Sequence, residues 1–246
     1  MKKEGYQPRI YRHWVEGKDL AEFTVTVKET DLYIKATSNL QRKAQRLVLK
    51  YRKQLEQYIE KNQDFLTSLK PLPIPPNAPH IVLDMIEAGR KANVGPMAAV
   101  AGAVAEYVGR ELLEFSPEII VENGGDIFLK TTRRRVIGIY AGNSTFTGKL
   151  GLEINPQDTP LGVCTSSGTV GHSLSFGKAD AVVVTAGSAT LADAAATAIC
   201  NKVSKPNDIN DAIEFGRNIV GLRGIIIILG SNIGVRGDIK LCETSV

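Results

Sequence analysis

The chain has 246 residues, 43% of them hydrophobic, and a formal net charge of +4. Its 30 Lys and Arg are interspersed with 26 Asp and Glu, which argues against the concentrated basic face of most nucleic-acid-binding domains. No apolar run approaches the about 18 residues of a membrane span, and no signal peptide is recognisable, so we expect a cytoplasmic protein without a membrane partner. Three widely spaced cysteines favour reduced thiols over a disulfide framework.

Alternating apolar residues near the N-terminus predict an antiparallel strand meander over residues 6–37. The predicted strands lie in RIYRHWV, EFTVTVKE and LYIKAT, with a turn at Thr30 and Asp31 between the last two. From Asn39 onward the apolar spacing changes to three and four residues. This spacing predicts one long amphipathic helix or a broken pair of helices, capped by Ser38 or Asn39.

A proline-rich segment divides the chain. The sequence PLPIPPNAP, residues 71–79, opposes helix formation and predicts an extended connector. We therefore expect an N-terminal unit at 1–70 and a core at 80–246, packed together as one compact unit.

Helices and strands alternate beyond the connector. Predicted helices in IVLDMIEAGRKANVGP and PMAAVAGAVAEYVGRELLEF precede predicted strands in EIIVENGGDIFLKT, RVIGIYAG and KLGLEI. A buried strand in ADAVVVTAGS leads into the helix LADAAATAICNKV, and the helix DINDAIEFGRNI and a hairpin follow. The helix in PMAAVAGAVAEYVGRELLEF is lined with Ala and Gly, so its neighbour can approach closely, and LADAAATAICNKV is a second helix rich in small residues. The order predicts an α+β fold of antiparallel sheets covered by helices.

A glycine pair lies in VENGGDIFL. Asn123, Gly124 and Gly125 are typical of a turn or bulge, because Asn and Gly adopt positive φ easily. The same glycines would let a backbone approach a ligand, and the adjacent Asp126 could bind a cation or a ribose hydroxyl. Both interpretations are compatible with the sequence.

Asp193 and Thr197 are four residues apart in TAGSATLADAAATAI and share one helix face. With free N–H groups at the helix N-terminus, this face suits a diphosphate and a divalent cation. The alternative is structural, since Thr190 and Asp193 have capping-box spacing.

The segment LGVCTSSGTVGHSLSFGKAD is expected to form a flexible loop. Cys164 and His172 are candidates for a catalytic thiolate–imidazole pair, with the thiol pKa lowered by nearby N–H groups. A loop that holds phosphates is the favoured alternative, because its residues offer hydroxyls and adaptable N–H groups. The loop residues with this role are Thr165, Ser166, Ser167, Gly168 and Thr169. Cys200 is expected to be a core residue.

Three segments, in this order, resemble the ApbE family of flavin transferases: NGGDI, CTSSGTVGH and VVVTAGSATLADAAATAI. The resemblance covers about the last two-thirds of the chain. Two segments, GPMAAVAGAVAEYVG and GVCTSSGTVGHSLSFGKADAV, are most similar to a cytoplasmic UPF branch of ApbE-like proteins found in bacteria and archaea.

The resemblance implies an ApbE-like variant of the T-fold that holds FAD and magnesium and transfers FMN to a protein threonine. Asp193 and Thr197 would be the cation ligands, and His172 would lie beside the flavin. The nucleotide pocket would be lined by Asn123, Gly124, Gly125, Asp126, Thr165, Ser166, Ser167 and Gly168.

Two further functions stay open. ApbE proteins usually follow the histidine with Asp-Pro and Thr-Gly, whereas SLSFGKAD follows His172 here. The resemblance to the UPF branch also implies a sulfur-relay role, with Cys164 as a persulfide carrier in cysteine or homocysteine biosynthesis. A third possibility is a non-catalytic protein that binds a flavin or adenine nucleotide, contacts an acceptor protein or forms a homo-oligomer.

Overall fold

The computed structural model describes residues 10–169 and 175–244. After a 3-10 helix at Ile10–Trp14, the helices are α1 (Gln41–Lys61), α2 (Gln63–Thr67), α3 (His80–Ala92), α4 (Val100–Leu112), α5 (Ala189–Cys200) and α6 (Asp208–Arg217), with short 3-10 turns at Pro96–Ala99 and Pro156–Asp158. The strands are β1 (Ala21–Val27), β2 (Thr30–Ala36), β3 (Ile119–Asn123), β4 (Asp126–Lys130), β5 (Arg135–Gly138), β6 (Leu150–Ile154), β7 (Leu161–Ser166), β8 (Ala181–Ala186), β9 (Leu222–Leu229), β10 (Asn232–Gly237) and β11 (Leu241–Glu243).

An eight-stranded sheet forms the middle layer, in the order β1-β2-β3-β4-β7-β8-β9-β10. Every neighbouring pair in this sheet is antiparallel. A second, three-stranded sheet has the order β11-β6-β5 and is also antiparallel. The N-terminal strands therefore share one sheet with the rest of the chain, because β2 pairs with β3.

Each face of the large sheet has its own hydrophobic core, as the two-residue side-chain period of a strand requires. The helices cover one face, where residues such as Val121, Phe128 and Val184 are buried with the apolar stripes of α1, α3, α4 and α5. The three-stranded sheet covers the other face, where Ile120, Ile127 and other strand residues are buried. The molecule thus has three layers, which is the predicted α+β arrangement of antiparallel sheets covered by helices.

Three local predictions differ from the structure. The segment RIYRHWV does not form a strand, because its described part is the 3-10 helix with only an isolated bridge from Val15 to Ile137. The first hairpin turns at Lys28 and Glu29, with Lys28 at φ +52°, and Thr30 and Asp31 already belong to β2. The expected loop after residue 160 begins as strand β7, which places Cys164 in the sheet.

The long amphipathic segment is a broken pair of helices, α1 and α2. The N-cap residue of α1 is Leu40, not the expected Ser38 or Asn39, although Asn39 Oδ1 accepts a hydrogen bond from the Gln41 N–H at 2.9 Å just before the helix. The buried residues of α1 are spaced three or four apart: Ala44, Val48, Tyr51 and Leu55. The connector at 71–79 contains no helix or strand and bends at residues 76 and 77. In the described part of the chain, no helix is long and apolar enough to cross a membrane.

The two helices rich in small residues, α4 and α5, pack closely against each other. A Cβ atom placed on Gly102 of α4 would lie 2.3 Å from the Ala189 carbonyl oxygen of α5. A Cβ atom on Gly162 of β7 would lie 2.3 Å from the Ala189 Cα atom. Glycine is thus required on both sides of the start of α5, and this contact brings the carboxylate of Asp193 next to the sheet.

Candidate active site

Three buried titratable side chains meet where α5 crosses the helix-facing side of the large sheet. Asp126 begins β4 and lies opposite Cys164 of β7 in the strand register. Asp193, on the second turn of α5, acts electrostatically on both of them. Burial of all three side chains leaves two carboxyl groups and a thiol in a region of low dielectric.

Asp193 has a structural partner on α4. Its Oδ2 accepts a hydrogen bond from the Gly102 N–H at 2.8 Å. Gly102 lies in the first turn of α4, where N–H groups have no partner within the helix. Asp193 therefore caps α4 from a neighbouring helix, and the expected capping box with Thr190 does not form because Ser188 is the N-cap residue of α5.

The N-terminus of α5 is capped from α4 in return. Glu106 accepts hydrogen bonds at Oε2 from the Thr190 N–H (3.0 Å), the Thr190 hydroxyl (3.1 Å) and the Ser188 hydroxyl (2.7 Å). Ser188 also accepts from the Leu191 N–H at 3.3 Å. The expected set of free N–H groups for an anion at this helix end is thus occupied by protein side chains.

Ionisation of the two aspartates is unfavourable in this buried site. Burial and the nearby charge of Asp193 raise the pKa of Asp126 well above its ordinary value. Burial raises the pKa of Asp193 to about 7, against the opposing effect of the N–H groups of Gly102 and Ala101. Among the described residues, Asp126 Oδ1 is buried and has no hydrogen-bond partner. A bound cation or a proton would therefore stabilise this pair of carboxyl groups.

Cys164 is not an activated thiol. Its side chain is completely buried, and Sγ donates a hydrogen bond to the Ala189 carbonyl oxygen at 3.3 Å. Burial, followed by the charges of Asp126 and Asp193, raises the thiol pKa well above its ordinary value. This is opposite to the lowered pKa expected from nearby N–H groups. The proposed partner His172 lies outside the described residues.

The remaining predicted residues divide between the two faces of the sheet. Gly124, Gly125, Thr165 and Ser167 line a cavity of about 110 Å³ between the two sheets, on the face opposite Asp193. Asn123 lies instead on the helix side, where Nδ2 donates to the Ala101 carbonyl oxygen at 3.0 Å.

The other candidates near these strands have varied surroundings. Ser166 is buried, and its hydroxyl has no hydrogen-bond partner in the described part of the chain. Gly168 is exposed, but a Cβ there would lie 2.0 Å from the Gly177 carbonyl oxygen, so close backbone packing accounts for this glycine. Thr169 is exposed, and Thr197 is half-buried one helical turn after Asp193.

The glycine pair forms the tight turn of the β3–β4 hairpin. Gly124 and Gly125 have φ of +69° and +105°, which other residues rarely adopt. A Cβ on Gly124 would meet no atom within 4 Å, so the turn faces open space. The turn lies at the end of strands β3 and β4, between the aspartate side and the cavity side of the sheet.

Sequence reasoning missed several side chains of this region. Glu122 lines the cavity, accepts from the Gly125 N–H at 2.8 Å and forms an ion pair with Arg12 at 2.7 Å. Tyr11 and Tyr140 also line the cavity and stack with ring centroids 5.7 Å apart. Because side chains alternate along a strand, the sequence could have predicted that Glu122 and Asn123 lie on opposite faces of the sheet. No local sequence pattern links Tyr11 or Tyr140 to this cavity.

The described residues contain no cluster of three or more His, Cys, Asp or Glu side chains that is arranged to hold a metal ion. Asp126 and Asp193 are the two buried carboxyl groups brought together on this side of the sheet, and Thr197 lies one helical turn after Asp193. Such a sparse set fits magnesium bound together with phosphates, because Mg²⁺ usually takes one or two carboxylates and completes its shell with phosphate and water.

Comparison with known proteins gives archaeal relatives of similar length. The UPF0280 protein MJ1526 of Methanocaldococcus jannaschii is 46% identical over 222 residues, which cover 87% of this chain and 90% of the relative. A UPF0280 protein of Methanococcus aeolicus is 42% identical over 239 residues, covering 90% and 95%.

Solved structures share the fold. Flavinyl transferase ApbE of Pseudomonas stutzeri aligns with a TM-score of 0.55 and 12% identity over 88% of this chain and 94% of that chain. An ApbE protein of Thermotoga maritima gives 0.56 and 15% over 89% and 97%. The predicted ApbE-like fold is thereby confirmed. A family model described as "AbpE bacteria" matches residues 12–233. With nearly the whole chain matched, the protein belongs to this ApbE-like family.

Proposed function

We propose that this protein binds FAD, or a related nucleotide, together with magnesium, and transfers FMN to a threonine of an acceptor protein. The names of the structural neighbours, flavin and flavinyl transferases, support the choice of reaction class. The observation that carries the proposal is the buried pair Asp126 and Asp193 beside an open glycine turn. A divalent cation would neutralise this pair, and the phosphates of a dinucleotide would complete its coordination.

The surroundings of the carboxylate pair support cation binding. Asp126 Oδ1 is buried without a hydrogen-bond partner among the described residues, and the charges of Asp193 and Glu122 raise the pKa of Asp126, against the opposing effect of hydrogen bonds from Cys164 and the Thr165 backbone. An ionised carboxylate pair without a counter-ion is costly in a buried site. Asp126, Asp193 and Thr197 would hold the magnesium ion in this proposal.

The cavity between the sheets suits part of a dinucleotide. About 110 Å³ is too small for a whole FAD molecule, because pockets for drug-sized ligands are about 300–1,000 Å³. Its aromatic and aliphatic walls, with the hydroxyls of Thr165 and Ser167, suit a single ring system. The glycine turn lies between this cavity and the aspartates. It has no side chain to block a ligand that passes from one face of the sheet to the other around the ends of β3 and β4.

The protein would contribute position and charge to the transfer. Asp126, Asp193 and Thr197 would hold magnesium, whose chemistry would be charge neutralisation at the diphosphate. In the overall transfer a threonine oxygen would replace AMP on the FMN phosphorus, and the hydroxyl proton would be released to water. The negative charges of Asp126 and Asp193 would bind the cation. The closely packed α4, α5 and β7 would keep both carboxylates in place during the reaction.

The geometry favours this function over sulfur relay. A persulfide carrier needs a thiolate that is accessible to its partners, and thiolates form at partly exposed, electropositive positions. Cys164 is completely buried next to two carboxylates that oppose its ionisation.

Nucleotide binding is the decisive test. FAD is titrated into the protein with and without Mg²⁺, by isothermal calorimetry, for the wild type, Asp193→Asn and the exposed control Asp211→Asn. We expect magnesium to tighten FAD binding to the wild type and to the control, and to have no effect on Asp193→Asn. The side-chain amide oxygen that this substitution introduces can still accept from the Gly102 N–H, so the helix cap is largely kept. Absence of any flavin or adenine nucleotide binding to the wild type overturns the proposal.

Transfer is tested separately with candidate acceptor proteins, by in-gel flavin fluorescence after denaturation. Covalent fluorescence that requires Asp193 supports the transferase. Tight, magnesium-dependent FAD binding without transfer to any acceptor favours the non-catalytic nucleotide-binding alternative.

A further inference from the structure

Asn123 lies at a point that connects the two carboxylates. It is the register partner of Asp126 across the two-residue Gly124–Gly125 turn, so both side chains lie on the helix side of the hairpin. Its Nδ2 donates to the Ala101 carbonyl oxygen in the first turn of α4 at 3.0 Å. The next residue, Gly102, donates its N–H to Asp193 Oδ2 at 2.8 Å.

These contacts form a short path from one aspartate to the other. Asp126 is held on the hairpin, the hairpin tip is tied to α4 by Asn123, and α4 is tied to Asp193 by Gly102. The backbone approach is close here, since a Cβ on Gly102 would lie 2.8 Å from the Asp193 Cβ atom. A shift of the hairpin tip relative to α4 would therefore change the separation between the two carboxylates.

We infer that Asn123 is a positioning residue for a divalent-cation site formed by Asp126 and Asp193, rather than a ligand-binding residue itself. Its amide group is already engaged with the protein backbone. This inference rests on the proposed function. Partners behind metal ligands typically change metal affinity by about 10–100-fold when they are removed.

The test measures the binding of Mn²⁺ alone, as a paramagnetic substitute for Mg²⁺, from the electron paramagnetic resonance signal of the free ion. The variants Asn123→Ala and Asn123→Leu both lose the N–H donor but differ in side-chain volume. The control is Asn62→Leu at the end of α1, which removes the same kind of bond, from Asn62 Nδ2 to the Tyr58 carbonyl oxygen at 3.0 Å. Far-UV circular dichroism selects protein that folds as the wild type does.

We expect both Asn123 variants to raise the Kd for Mn²⁺ about tenfold, and the control to leave it unchanged. A purely structural role would lower the Tm of the Asn123 variants and leave the Kd of the folded protein at the wild-type value, which would overturn the inference. An equal rise in the Asn62 control would also overturn it. If the wild type binds no Mn²⁺, this inference is overturned, whereas the proposed function is decided by the magnesium dependence of FAD binding, where phosphates complete the coordination. Unchanged binding by the variants removes only the role of Asn123.

Discussion

The thiol of Cys164, a residue of strand β7, contacts the first residue of α5 and is inaccessible to solvent. A raised pKa reduces the thiolate fraction, and burial reduces access, so both effects slow alkylation. We expect iodoacetamide at pH 8 to modify the half-buried Cys242 in the native protein and to leave Cys164 and Cys200 unmodified. Peptide mass spectrometry measures each site. Alkylation in guanidinium chloride, where all three should react, is the control. Labelling of native Cys164 at the rate of Cys242 would restore the sulfur-relay hypothesis.

The aspartate pair makes stability depend on pH in an unusual direction. The folded-state pKa of Asp193 is about 7 and its ordinary value is 3.8, so between these values the folded chain holds a proton that the unfolded chain has released. The free energy of unfolding therefore falls as the pH rises through this window. Asp126 acts in the same direction because its pKa is also raised.

Replacing Asp126 with Asn should therefore stabilise the metal-free protein more at pH 8 than at pH 5, because the loss of stability starts near the ordinary carboxyl pKa and grows as the pH rises. We expect a gain of about 1–3 kcal/mol at pH 8, or about 2–4 °C in Tm per kcal/mol, measured by thermal unfolding in the presence of a chelator. Asp208→Asn is the control of opposite sign, because the Ser204 and Lys205 N–H groups lower the pKa of Asp208. An equal shift of Tm for Asp126→Asn at both pH values would contradict this account of the pair.

Helices α4 and α5 stabilise each other by exchanging caps, Asp193 to Gly102 in one direction and Glu106 to Thr190 in the other. Glu106 is buried and satisfies three donors, so its removal leaves buried polar groups without partners. We expect Glu106→Ala to lower the free energy of unfolding by about 2–4 kcal/mol. Urea unfolding measures this loss. The control is Glu87→Ala, whose exposed ion pair with Lys91 should contribute less than about 0.5 kcal/mol. Similar losses of unfolding free energy in the two variants would contradict the stabilising role of the exchanged caps.

Apolar periodicity and small-residue content were sufficient to predict most helices and strands and a close neighbour for the small-residue helix α4. They left open whether α1 and α2 form one long helix or a broken pair, and did not show that α4 packs against α5. They could not identify the capping role of Glu106, because the groups that it caps lie more than 80 residues away and its local ion pair with Arg110 is that of an ordinary helix. The expected loop at Cys164 was wrong for a different reason. Its many Gly, Ser and Thr residues suggested flexibility, but the pairing of β7 between β4 and β8 imposes a strand.

The same strand explains why the candidate site could be predicted only as a set of residues. In β7, Cys164 and Ser166 lie on the helix side, whereas Thr165 lines the cavity. A two-residue period thus divides a continuous motif between two faces of the sheet. Sequence alone brought Asp126 and Asp193 forward as candidates, but their proximity depends on the packing of α5 against β7, which no local pattern reveals.

At the scale of the whole molecule, the N-terminal part is tied to the core at several independent points. Strand β2 pairs with β3 over five residues. Arg12 forms a buried ion pair with Glu122, and Lys50 of α1 lies 2.6 Å from Glu111 of α4. The described part of this segment, residues 10–70, contributes to the two cores of the large sheet, for example through Val15, Leu32 and Val48. We propose from these contacts that 1–70 and 80–246 form a single cooperative unit despite the proline-rich connector.

The unique tryptophan gives a direct test of this cooperativity. Trp14 packs edge-to-face with Tyr140, so its fluorescence reports on the contact between the N-terminal 3-10 helix and the chain after β5. Because loss of β1 and β2 would expose an edge of β3 and uncover both cores, we expect the Trp14 transition in urea to coincide with that of far-UV circular dichroism. The double variant Trp14→Phe/Phe215→Trp moves the probe to α6 and should give the same midpoint. A Trp14 midpoint at clearly lower urea than the α6 probe would mean that the N-terminal unit unfolds first, and that the connector separates two units of different stability.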